Sequence, residues 1–115
     1  MPNPVVHFEV LGKNREKLAA FYKELFGWKT QDHLDMGYSI VEKEEGGIGG
    51  GIGESPDGAS HVTFYVATQD PQATLDQAVS LGGKVVMPVT ELPMVTLALF
   101  TDPEGHTIGI IKAGD

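Results

Sequence analysis

Cysteine is absent from this chain of 115 residues, which excludes a disulfide scaffold and a thiolate zinc finger. Basic residues are scarce: eight Lys and Arg stand against sixteen Asp and Glu, a net charge of -8 that repels a phosphate backbone and anionic lipid. Nucleic acid and membrane surfaces are therefore not expected partners. No segment approaches the roughly 18 apolar residues of a membrane span, and Met1-Pro2-Asn3-Pro4 has neither the basic start nor the apolar run of a secretion signal. A cytoplasmic protein is expected. The remaining composition, 41% hydrophobic and 21% charged, is that of one ordinary globular domain over residues 1–115. Glycine is plentiful by contrast, with fifteen residues, seven of them between Gly46 and Gly58. That stretch is governed by backbone rather than side chains.

The chain reads as two copies of one pattern, residues 1–54 and 55–115, separated by the turn-rich Glu54-Ser55-Pro56-Asp57-Gly58-Ala59. Val5–Val10 and His61–Val66 each alternate apolar and polar residues and read as half-buried strands. His7 and Glu9 share one face of the first; His61, Thr63 and Tyr65 share one face of the second. His7 and His61 thereby take equivalent places. Each strand leads into an amphipathic helix. Asn14 is the expected N-cap of the first, with Leu18, Phe21, Tyr22, Leu25 and Phe26 as its apolar stripe and Gly27 as its stop. Asp70-Pro71 opens the second, whose stripe is Leu75, Ala78 and Val79. Three short strands follow in each half, near 28–31, 38–42 and 47–52, then 84–89, 95–101 and 107–112. Asp102-Pro103-Glu104-Gly105 joins the last two. The expected fold is α+β: two βαβββ units forming curved mixed sheets around a central groove, with helices outside.

These residues resemble the vicinal oxygen chelate superfamily, the glyoxalase, bleomycin resistance and extradiol dioxygenase group. The resemblance rests on His7, Phe21-Tyr22 and Leu25-Phe26-Gly27-Trp28, on the Gly46–Ile52 stretch, on Leu81-Gly82-Gly83, and on the hairpin Phe100-Thr101-Asp102-Pro103-Glu104-Gly105 through Ile110. It implies a groove metal that chelates two neighbouring substrate oxygens, held by residues of the first and last strands. His7 and His61 stand where such ligands are expected. The acidic last-strand ligand is missing, because Gly109 occupies its place in the second unit and Gly49-Gly50 the corresponding region of the first. Gly109→Glu is accordingly expected to supply a third ligand.

Two imidazoles alone hold a divalent ion such as Zn, Ni, Mn or Fe only weakly, so no tightly bound cofactor is expected. The leading reading is a small-molecule-binding protein, with a metal-dependent lyase, isomerase or dioxygenase as the alternative. In the enzyme reading Glu9 and Tyr65 are the candidate catalytic residues, Glu9 as general base. Trp28, Tyr38, Met94 and Phe100, with the bare Gly49, Gly50 and Gly109, are expected to line the pocket beside the two histidines. A third reading has the groove filled by the protein's own side chains or by a partner. His33 and His106 are expected in solvated turns. A homodimer is expected, because the open sheets expose edges that a second chain would cover.

Overall fold

The computed structural model describes residues 2–114, and of Leu34 the backbone alone. The elements repeat as expected: β1 (Val5–Gly12), α1 (Arg15–Phe26), β2 (Thr30–His33), β3 (Tyr38–Val41) and β4 (Gly49–Glu54), then β5 (His61–Thr68), α2 (Pro71–Ser80), β6 (Lys84–Glu91), β7 (Thr96–Thr101) and β8 (Thr107–Lys112). A single 3-10 turn, Leu34–Met36, is added between β2 and β3. Among the described residues no helix is long and apolar enough to cross a membrane. The chain divides into two compact units, one of residues 7–63 and one of residue 64 onward with the segment before His7. The division falls within β1 and β5.

In the 7–63 unit the strand order is β2-β3-β4-β1, with β1 parallel to β4 and the other pairs antiparallel. The other unit repeats this as β6-β7-β8-β5, with β5 parallel to β8. Each sheet is covered on one face by its helix. Ala19, Val41 and Ile52 form the first core with Phe8, Leu18, Tyr22 and Trp28 packed on it, and Leu75, Ala98 and Ile110 form the second with Val66, Val89 and Phe100.

Both helices begin where side-chain chemistry dictates. Asn14 accepts a hydrogen bond from the Lys17 amide at 3.0 Å, and Asp70 one from the Ala73 amide at 3.1 Å. Each satisfies a backbone donor that the first turn leaves without a partner. Gly27 ends α1 in the left-handed region, φ 71°, with its amide donating to the Lys23 carbonyl at 2.8 Å.

The buried faces differ from the expected stripes. In α1 the covered positions are Arg15, Leu18, Ala19 and Tyr22, whereas Phe21, Leu25 and Phe26 face outward, each more than half exposed. In α2 they are Pro71, Thr74, Leu75 and Ala78, and Val79 points out. Apolarity alone does not select the face, because α1 carries more apolar side chains than one sheet can cover.

Arg15, an unexpected core residue, is what fixes that rotation. Its guanidinium is buried, donates to Ser39 Oγ at 2.7 Å and lies 3.7 Å from Asp32 Oδ1; Ser39 in turn donates to Asp32 at 2.7 Å. The start of α1 is thus tied to β2 and β3. Charge-assisted bonds of this kind contribute about 1.5–3 kcal/mol, so Arg15→Ala should lower the unfolding free energy by about 2 kcal/mol in urea titration. Asp32→Asn, at a half-exposed carboxylate, should cost less than about 1 kcal/mol. An Arg15→Ala protein as stable as the wild type would show that the tie is idle.

Candidate functional site

In the 7–63 unit the face turned away from α1 carries His7, Glu9 and Leu11 from β1 and Tyr38 and Ile40 from β3. Between them β4 contributes Gly49, Gly51 and Gly53, as the register requires: His7 pairs with Gly49, Glu9 with Gly51, Leu11 with Gly53, and Tyr38 with Gly53. Every residue of β4 on this face is a glycine. The strip is not empty, because the Tyr38 ring lies along it. A Cβ built on Gly53 would come within 2.7 Å of Tyr38 Cδ1, and one on Gly51 would collide with the Tyr38 hydroxyl and ring edge.

That position delivers the phenol to two polar groups. Tyr38 donates its proton to Glu9 Oε2 at 2.9 Å and lies 3.0 Å from His7 Nε2. A phenol has one proton to give, and the carboxylate takes it, so the hydrogen-bond network assigns the proton between the other two atoms to His7 Nε2. Burial pushes the His7 pKa below its usual 6.5, against an opposing pull from the Glu9 charge, which favours the neutral ring. Nε2 of His7 is then a donor to Tyr38. Nε2 then has no lone pair for a metal, and the ring's only one is on Nδ1.

The second unit uses the same device with a different residue. Tyr65 is buried and pairs with Gly109, and a Cβ on Gly109 would collide with the Tyr65 ring. The registers of the two units also correct the expected equivalence of the histidines. Glu9 pairs with Gly51 as Tyr65 pairs with Gly109, and Gly12 with Glu54 as Thr68 with Lys112, while Asn14 and Asp70 cap the two helices. His7 therefore corresponds to Thr63, and His61 to Val5. The counterpart of Gly109 is Gly51, not Gly49 or Gly50.

His61 is half-exposed and pairs with Asp57, Nε2 to Oδ1 3.5 Å. Gly50 is on the helix side, with the Phe8 ring against its Cα. Trp28 belongs to the helix-side core, stacked at 5.1 Å on Phe8 and 5.3 Å on Tyr22. Phe100 packs on the Leu75, Ala98 and Ile110 core, and Met94 is exposed in the turn between β6 and β7. None of Gly50, Trp28 and Phe100 shares the face of His7 or of Tyr65. His33 ends β2 with Nε2 buried and no hydrogen-bond partner for it, rather than solvated. His106 is exposed in the hairpin and holds Asp102 at 3.0 Å.

An acidic ligand in the manner of the resemblance would have to project from Gly51 or Gly109, and each is covered by a tyrosine ring. Among the described residues no three His, Asp or Glu side chains are grouped to hold a metal ion. The donor set does not fit the chelated metal of the superfamily. Gly109→Glu would meet the Tyr65 ring before it could reach a metal.

Solved structures of low sequence identity share this fold of repeated βαβββ units. A glyoxalase, bleomycin resistance protein and dioxygenase superfamily member from Vibrio splendidus superposes with TM-score 0.65 at 14% identity, covering 96% of this chain and 99% of that one. Methylmalonyl-CoA epimerase from Mycobacterium tuberculosis gives 0.67 at 10% identity, covering 96% and 88%. Within the superfamily the chain belongs to the glyoxalase-like domain family, whose model matches residues 9–111. CFP32 of Mycobacterium tuberculosis and of Mycobacterium bovis, named as a candidate glyoxylase, is 31% identical over 103 residues. The match covers 81% of this chain and 39% of CFP32, so the chain spans well under half the length of these relatives.

Two outcomes check the site. Gly51→Ala should destabilise the fold by about 1–3 kcal/mol, the usual cost of overpacking, and Tyr38→Ala in the same chain should recover part of that loss. Additive costs in urea titration would mean that Tyr38 does not lie on Gly51. The pH dependence follows from His7. Unfolded, its imidazole takes a proton near 6.5; folded, only at lower pH. The unfolded chain therefore binds more protons in that window, and stability is complete above 6.5 and falls as pH drops through the lowered value. The loss should shrink in His7→Gln. An NMR titration of His7 in the folded protein at or above 6.5 would overturn the neutral donor assignment.

Proposed function

We propose that this chain binds a small molecule on the face carrying His7, Glu9 and Tyr38, and that it does so without a tightly held metal. One observation carries the reading: the Tyr38 hydroxyl bridges Glu9 and His7 while its ring covers Gly51. The same residue thereby occupies the place of an acidic ligand and engages Nε2 of the imidazole, which leaves that ring only its Nδ1 lone pair. What the face offers a ligand is a carboxylate, a phenol and an imidazole beside the Tyr38 ring, Leu11 and Ile40, the sparse polar set on an apolar floor that small-molecule sites use. Ligands bearing hydroxyl or carbonyl groups fit that set. Methylmalonyl-CoA epimerase, solved with methylmalonyl-CoA, shows an acyl-CoA held by a protein of this fold, at 13% identity and TM-score 0.64.

Metal analysis of untagged protein, paired with thermal melts, tests the proposal. Metal content should be on the order of 0.2 per chain or less. Melts with methylmalonyl-CoA and with a panel of small hydroxyketones should give a hit whose stabilisation follows RT ln(1 + [L]/Kd), about 2.7 kcal/mol at a hundredfold excess. Glu9→Gln and Tyr38→Phe should each reduce it. A near-stoichiometric metal lost in His7→Ala would replace this reading with the metal-dependent enzyme, and a ligand shift untouched by both variants would move the site elsewhere.

A further inference from the structure

The second unit leaves open a space that the first unit fills with aromatic rings. By the correspondence of Asn14 with Asp70, Tyr22 becomes Ala78 in α2, and Leu18 and Phe21 become Thr74 and Gln77. Thr30 pairs with Val41 as Val85 pairs with Phe100, and Val41 and Phe100 hold one place, so Trp28 becomes Gly83. Gly27 and Gly82, both at positive φ, stand just before these two. Leu75 in place of Ala19 and Phe100 in place of Val41 return bulk to the inner core. Nothing replaces the stacked Tyr22 and Trp28 rings at the outer end, where an open cleft of about 400 Å³ lies between α2 and the end of β7. One wall of it is bare backbone: a Cβ on Gly83 would come within 2.5 Å of the Thr101 carbonyl oxygen and 3.0 Å of that of Ala78.

The walls say what the cleft would hold. Ala78, Leu81, Phe100 and Pro103 make them mostly apolar, and Leu81 is left 70% exposed there. Among the described lining residues the one charge is that of Asp102. Its carboxylate accepts from the Glu104 and His106 amides at 3.0 Å each and from His106 Nδ1 at 3.0 Å, and Oδ2 retains a lone pair beyond that bond. The His106 amide bond above all holds the Asp102 carboxyl below its usual range, so it is an anion at neutral pH. The last carbonyls of α2 end at the same place and add partial negative charge. We propose that this cleft is a second small-molecule site, for an aromatic ring of indole size that carries an ammonium group. The ring takes the place that Tyr22 and Trp28 hold in the first unit, and the ammonium meets Asp102. The inference stands on the second unit alone, apart from the face of His7, Glu9 and Tyr38.

Tryptamine, titrated into the nitrogen-15-labelled whole chain and followed by NMR, tests this, with indole-3-propionate as the same ring bearing the opposite charge. Tryptamine should shift the amides of Leu81, Gly83, Thr101 and Asp102 with a Kd on the order of 1 mM, and leave those of Glu9 and Gly51 in place. Indole-3-propionate should bind about fivefold more weakly, a preference that Asp102→Asn should remove. Ala78→Tyr, which installs the ring of the first unit, should keep the circular dichroism of the wild type and lose the tryptamine shifts. Leu81→Lys, at an exposed position next to the helix C-terminus that favours a cation, should weaken tryptamine by about fivefold without disturbing the packing. Cleft amides unmoved at about 10 mM tryptamine would overturn the proposal. So would shifts confined to His7, Glu9 and Gly51, equal affinity for the two probes, or binding that Ala78→Tyr and Leu81→Lys both leave intact.

Discussion

The hydroxyl of Tyr38 is the point on which the candidate site turns, and its position is set by the absence of side chains beneath it. On β4 the residues facing away from α1 are Gly49, Gly51 and Gly53, and the ring lies along the last two. A methyl group at Gly51 would lift the ring and withdraw the hydroxyl from Glu9 and His7 together. The glycine-rich segment is thus a seat for an aromatic ring rather than a flexible loop or a phosphate cradle. Its strand order, the side chain it admits, and that side chain's hydrogen bonds to Glu9 and His7 form one chain of cause.

Much of the fold was legible in the sequence because it rests on local chemistry. Asn14, Gly27, Asp70 and Pro71 mark helix ends through bonds made within one turn, and each stands where that chemistry requires. The alternation in β1 and β5 correctly separates the helix-facing Phe8 and Val66 from Glu9 and Tyr65. Register along the strand is a different matter. Pairing His7 with His61 instead of Thr63 keeps the face and shifts the position by two residues, about 7 Å of strand. Alternation has period two and is blind to that error. Only the hydrogen-bonded pairs Glu9 with Gly51 and Tyr65 with Gly109 resolve it.

The site was less legible for a related reason. A glycine in a sequence reports that something approaches closely, but not what. At Gly50 it is Phe8, at Gly51 Tyr38, at Gly109 Tyr65. The first is a neighbour across a parallel pair on the helix side, the second comes from the antiparallel neighbour β3, and the third from β5. Two are the direct partner across a parallel pair, on opposite faces, and one comes from an antiparallel neighbour, yet all three produce the same residue type. Arg15 was hidden differently. A charged residue at a helix start reads as solvent-facing until Ser39 and Asp32, distant in sequence, are seen to enclose it.

The two units show how one architecture is filled in two ways. Position by position, Arg15 in the first core is Pro71 in the second, Leu18 is Thr74, Ala19 is Leu75 and Tyr22 is Ala78. The bulk moves from one helix position to another: small Ala19 accompanies large Tyr22 and Trp28, whereas large Leu75 accompanies small Ala78. Total core volume tolerates such exchanges as long as the space is filled. The first unit reaches this by recruiting Trp28 from beyond the helix and bracing it with Phe8 and Tyr22. Once that aromatic stack exists, adding Phe21 at its outer end costs the fold little, because the ring rests on Tyr22. The aromatic brace beneath Phe21 is therefore open to the first unit and closed to the second, whose Ala78 offers no ring on which to build, although Val79 and Leu81 are exposed there as well.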